Sequence, residues 1–135
     1  MPREARMPPR VDSVLLVDDN DRYAEVIRAH LERRGAMVER ARSAREGLLV
    51  LEKRAGSFQC LITDITMETQ LSGLRILRKA RGLGFSGMKV TTSTGLDTRI
   101  GYLVNRFVLG ILYGCDYLIP KKPIKRRGKV AWIRV

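Results

Sequence analysis

Short apolar runs alternate along this chain with longer stretches in which apolar residues recur every three or four positions. The run Ser13 to Val17 is continuous and predicts a buried strand. A helix is expected from about Asp21 to Arg34, where Ala24, Ile27 and Leu31 form a stripe and Gly35 supplies the stop. Met37 to Ala41 reads as a short second strand. Ser43 can cap a second helix whose Leu48, Leu49 and Leu51 face inward, with Gly56 past its end. Phe58 to Thr63 is a third strand. A loop from Met67 to Ser72 leads into a third helix with Leu74, Ile76 and Leu77 as its apolar positions, broken by Gly82, Gly84 and Gly87. Met88 to Thr94 is a fourth strand. Asp97 or Thr98 opens a long helix to about Tyr113, ended by Gly114, and Tyr117 to Ile119 is a fifth strand. The alternation predicts an α/β fold, a doubly wound five-stranded parallel sheet with helices on both faces. Right-handed crossovers then put the carboxyl ends of all the strands on one edge.

Acidic residues stand at two of those ends. Asp18 and Asp19 follow the first strand, and Asp64 follows the third. An Asp after a strand is often only a helix N-cap. Three of them on one rim, two adjacent, repel each other unless a cation lies between them, which favours a hard-cation site for an ion such as Mg²⁺. Thr94 and the Lys121-Lys122 pair end the fourth and fifth strands and belong to the same rim.

A chain of 135 residues with 44% hydrophobic positions makes one domain with a real core. No apolar stretch is long enough to span a membrane, and residues 1–10 lack the apolar region of a signal peptide and read as a flexible leader. The two cysteines, Cys60 and Cys115, are isolated from each other and fit a reducing, cytoplasmic setting better than a disulfide or a zinc site. The net charge of +12 is uneven: residues 1–68 hold 12 acidic and 12 basic side chains, leaving 14 basic and two acidic ones, Asp97 and Asp116, for the remainder. The last segment is the densest. Such a field attracts polyanions or an acidic protein, or only keeps the chain in solution.

Taken together, Val14 to Asn20, Leu61 to Met67, Ser72-Gly73-Leu74, Ser93-Thr94-Gly95, Gly114 to Tyr117 and Lys122-Pro123 resemble the receiver domain of two-component response regulators, over about Val11 to Ile124. The resemblance implies a flavodoxin-like (βα)5 fold in which Asp64 accepts a phosphoryl group. It implies Mg²⁺ held by Asp18, Asp19 and the Thr66 backbone carbonyl, and phosphoryl contacts from Thr94 and Lys122. By spacing from Gly114, Lys121 is the alternative lysine; the pairing with Pro123 favours Lys122. Tyr117 would be the switch aromatic, or else an ordinary half-buried strand tyrosine. The implied partners are a histidine kinase or phosphotransfer protein and a downstream protein. Catalysis would be limited to phosphorylation and dephosphorylation of the chain itself.

The chain departs from the family pattern in three places. No proline follows Met67, and Glu68 adds a carboxylate. The helix ending near Tyr113 is apolar almost all round, which suggests an interface such as a homodimer through this fourth-helix region. Residues 125–135 form a basic, glycine-interrupted segment where a receiver would close with a full helix. Its Trp132 and Ile133 either dock on the sheet in place of that helix or are the stub of a longer protein. The expected organisation is a leader over 1–10, a receiver domain over 11–124 and this basic segment, working as a stand-alone receiver. Nucleic-acid binding by the basic second half, with phosphorylation degenerate, is the less favoured alternative.

Overall fold

A computed structural model describes residues 10–64, 72–93 and 114–134, with the side chains of 72–74 and 93 excepted. Its elements are β1 (Ser13–Val17), α1 (Asp21–Arg33), β2 (Met37–Ala41), α2 (Ala44–Arg54), a 3₁₀ turn (Ala55–Ser57), β3 (Cys60–Asp64), α3 (Ser72–Gly82), β4 (Met88–Ser93), β5 (Tyr117–Pro120), α4 (Lys121–Arg127) and β6 (Ile133–Arg134). The helix expected to end near Tyr113 lies outside the described residues.

The sheet order is β2-β1-β3-β4-β5-β6. The first five strands are parallel, and the order 2-1-3-4-5 is that of a doubly wound sheet whose ligands bind beyond the carboxyl ends of the strands. A sixth strand, absent from the sequence expectation, pairs antiparallel with β5 through Tyr117–Arg134 and Leu118–Ile133.

Alternation along each strand divides the core in two. Val14, Leu16, Ile62, Val90 and Ile119 face one side and pack with Ala24, Ile27 and Leu31 of α1, Ile124 of α4, and Val130 and Trp132. Leu15, Val17, Leu61 and Leu118 face the other and pack with Leu51 of α2, Ile76, Leu77 and Ala80 of α3, and Phe85. Both faces of β1 are covered, which is why its sequence is continuously apolar rather than alternating. Leu49 is exposed, against expectation, because Leu48 and Leu51 already span the inward stripe of α2. Gly47 lets α2 approach β1 closely: a Cβ there would stand 2.8 Å from Val17 Cγ2.

The closing segment explains the missing full-length helix. α4 has only seven residues, and Gly128 ends it in the left-handed region at φ 62°. The Gly128 N–H donates to the Ile124 carbonyl at 2.9 Å and the Lys129 N–H to the Pro123 carbonyl at 3.3 Å. The chain then turns back and buries Val130, Ala131 and Trp132, the last only 1% exposed. The Trp132 indole N–H donates to His30 Nε2 at 3.2 Å, and its ring meets Tyr117 edge-on.

Candidate functional site

The period-two rule that sorts the core also assembles the site. Asp18 lies two residues beyond Leu16, Asp64 two beyond Ile62, Thr92 two beyond Val90, and Lys121 two beyond Ile119. All four therefore belong to the side of the sheet covered by α1 and α4, and all four are buried. β3 and β4 are in register at Asp64–Thr92, and β1 stands beside β3 at Val17–Thr63. The strand ends thus meet along one rim.

Carboxylate oxygens of Asp18, Asp19 and Asp64 lie within 4.8 Å of one another, with Asp19 exposed and the other two buried. Asn20 caps α1 by accepting the Tyr23 N–H, and its own N–H donates to Asp18 Oδ1 at 2.9 Å. Asp18 Oδ2 is buried and has no hydrogen-bond partner among the described residues. Burial pushes the Asp18 carboxyl up from its ordinary 3.8 to about 6. The Asn20 N–H and the Lys121 ammonium oppose that rise, while the charges of Asp64 and Asp19 add to it. An orphaned carboxylate oxygen beside two further carboxylates fits a hard cation with oxygen ligands.

Lys121, not Lys122, is the lysine that meets Asp64. Lys121 Nζ donates to Asp64 Oδ2 at 2.5 Å and stands 4.7 Å from the centre of the Tyr23 ring. Lys122 is exposed. The lysine that the spacing from Gly114 offered is thus the one paired with Asp64, and the one that the pairing with Pro123 favoured is not. Pro120 ends β5 and precedes α4, so the residue after it turns toward Asp64 while Lys122 and Pro123 lie further along the helix. A buried ion pair of this kind costs desolvation, and losing either partner strands a charge.

Two residues around the rim, Arg40 and Thr92, escaped the sequence reading. Arg40, next to last in β2, has its side chain only 7% exposed; its Nε and Nη2 donate to the Asp18 backbone carbonyl at 3.3 and 3.0 Å, and its Nη1 pairs with Asp21 at 2.7 Å. A cation just before the buried Ala41, at a strand end on the same rim, was the available signal. Thr92 Oγ1 is buried beside Asp64 without a hydrogen-bond partner among the described residues. Tyr117 is half-buried at the start of β5, level with Val90, and its ring packs at 87° against Trp132 with centroids 6.0 Å apart. Thr66 and Thr94 lie outside the described residues. Both cysteines are free, and burial pushes Cys60 up to about 12 and Cys115 to about 11, which leaves neither as a reactive thiolate at neutral pH.

The family model for the response regulator receiver domain matches residues 14–123. The chain belongs to that family. It is 28% identical over 124 residues to the two-component response regulator ARR11 of Arabidopsis thaliana, covering 90% of this chain and 22% of that protein, so it spans about a fifth of that relative's length. Among solved structures it is similar to a CheY-like receiver domain protein from Methanospirillum hungatei, with 26% identity, a TM-score of 0.65, and 83% and 82% of the two chains covered. A Burkholderia pseudomallei response regulator solved with a phosphorylated aspartic acid, calcium ion and citrate shares the fold at 23% identity and TM-score 0.61, over 82% of this chain and 60% of that one. The receiver domain is thus a module of two-component signalling. Among the described residues, no helix is long and apolar enough to cross a membrane.

Proposed function

We propose that this receiver accepts a phosphoryl group on Asp64 from a histidine kinase or phosphotransfer protein and so switches a protein-interaction face. The observation that supports this most is the cluster of Asp18, Asp19 and Asp64 around an unpartnered buried oxygen, with a lysine ammonium on Asp64. An Asp64 oxygen would attack phosphorus, forming an acyl phosphate as the bond from phosphorus to the donor's histidine nitrogen breaks. Asp18 and Asp19, with the Thr66 carbonyl, would hold Mg²⁺, which when bound neutralises charge on the phosphoryl oxygens. The Lys121 ammonium, freed from the Asp64 carboxylate, would pair with a phosphoryl oxygen, and the Thr94 hydroxyl would take another. Arg40 keeps the Asp18 main chain in place. Output would follow from a shifted conformational equilibrium read by a downstream protein, with Tyr117 as the proposed reporter and a homodimer through the 97–113 region as one form of it. The setting is cytoplasmic in this reading, and chemistry is limited to the chain's own phosphorylation and dephosphorylation. A phosphorylated aspartate and a calcium ion in the Burkholderia pseudomallei protein support the reading by likeness of fold.

The test is incubation with acetyl phosphate, with and without Mg²⁺, followed by intact mass. A single phosphoryl adduct that needs Mg²⁺ and is missing in Asp64→Asn is expected. An adduct that persists in Asp64→Asn, or none in the folded wild type with Mg²⁺, would refute the assignment.

A further inference from the structure

The outward face of α4 carries a charge pattern that the phosphoacceptor chemistry does not use. Lys122, Lys125, Arg126 and Arg127 are all exposed, and no acidic residue lies between Asp116 and the end of the chain. Five cations elsewhere are matched: Arg28 pairs with Glu32, Arg54 with Glu39, Lys79 with Glu52, and Arg40 and Arg42 with Asp21. None of these four α4 side chains forms an ion pair among the described residues. Lys122 and Arg126 lie four residues apart on one helix face, where like charges repel. Part of this charge favours the helix carboxyl end, an effect that reaches only the last turn and does not account for Lys122.

Among the described residues the face also has no apolar anchor. Ile124, Val130, Ala131 and Trp132 are turned into the core, and the exposed large apolar residues, Met37, Leu49 and Leu83, belong to other elements. Protein interfaces gain most of their affinity from buried aromatic and aliphatic anchors. Nucleic-acid interfaces are more polar and far more positive. The side chain of Arg22 reaches from α1 to the Lys125 carbonyl at 3.2 Å and ties this short helix to the domain, so the four cations sit on a held scaffold.

We infer that the outer face of α4, through Lys122, Lys125, Arg126 and Arg127, binds the phosphate backbone of nucleic acid without reading its sequence. This inference is independent of phosphorylation at Asp64. A helix of seven residues with its inner face buried cannot also enter a groove, so base readout is not expected.

The test uses the full chain and fluorescence anisotropy of a fluorescein-labelled mixed-sequence DNA duplex over a range of salt. Four phosphate contacts predict log Kd rising against log salt with a slope of about 3.6, at affinities of about 1–100 µM near physiological salt. The variant with Lys122→Gln, Lys125→Gln, Arg126→Gln and Arg127→Gln should lose more than about tenfold in affinity at low salt. A control with Arg33→Gln, Lys53→Gln, Arg75→Gln and Arg78→Gln removes the same charge from exposed sites elsewhere and should keep most of the binding. Matching thermal melts keep unfolding out of the comparison. Equal losses in the two variants would reduce the effect to net charge, and no binding by wild type would end the inference. Displacement of the duplex by poly-glutamate at lower charge concentration than by unlabelled DNA would assign the face to an acidic protein instead.

Discussion

The carboxylate rim and the closing segment from α4 to β6 share one helix, yet they handle charge in opposite ways. In the rim, Asp18, Asp64 and Lys121 are 0%, 2% and 6% exposed, and each sets the electrostatic surroundings of the others. On the outer face of α4 the cations stand in water, and the closing segment is held by apolar contacts beneath them, above all Trp132. Lys121 belongs to the first region and its neighbour Lys122 to the second. A change of charge should therefore alter chemistry and stability together in the rim and neither on the outer face. In the closing segment stability should follow volume.

Truncating Trp132 tests that contrast with the largest expected effect. Trp132→Ala removes a fully buried indole and should cost about 3–5 kcal/mol in urea denaturation; a loss below about 1 kcal/mol would mean that the closing segment does not belong to the core. Next is Asp18→Asn in the metal-free protein. The folded Asp18 pKa is raised, so the native state holds its proton more tightly than the unfolded chain. The stability this contributes is full below about pH 3.8 and lost as pH rises through about 6. Relieved of that charge, the variant should be more stable than wild type above pH 6, by up to about 3 kcal/mol, in parallel thermal melts. The ranking reverses if Mg²⁺ is present and stabilises only the wild type.

A smaller effect is expected at His30. Burial and the Arg34 and Arg33 charges lower its pKa below 6.5, and the neutral ring accepts the Trp132 N–H. The native state then binds fewer protons than the unfolded chain, so this stability is present above pH 6.5 and lost as pH falls below it. Trp132 is the single tryptophan, and its emission should shift on acidification in wild type and not in His30→Gln. The smallest effect is Lys125→Gln, which should leave stability within about 0.5 kcal/mol.

The same division governs how much could be read from the sequence. β1 and β2 have the bounds that their apolar patterns predict, and Asn20 and Ser43 start the helices after them. The three rim aspartates come together because strand ends in a doubly wound sheet share an edge, which the order of elements already implies. Lys121 was ambiguous because two cues disagreed, and the spacing that follows the strand's geometry prevailed over the adjacent proline. The sixth strand was illegible: a two-residue strand has no periodicity of its own, and its position depends on Gly128 and on the space that a seven-residue helix leaves for Trp132. Arg40 was missed because a half-buried cation in a strand follows no apolar pattern; it makes sense only beside the Asp18 carbonyl and Asp21.

In the proposed function Asp64 is phosphorylated in a site completed by Lys121. The most direct measurement is the Mg²⁺-dependent acetyl phosphate adduct in wild type, Lys121→Ala and Lys122→Ala, read by intact mass. Wild type and Lys122→Ala should accumulate the adduct alike, and Lys121→Ala should form little of it. Full phosphorylation of Lys121→Ala together with failure of Lys122→Ala would overturn that role for Lys121.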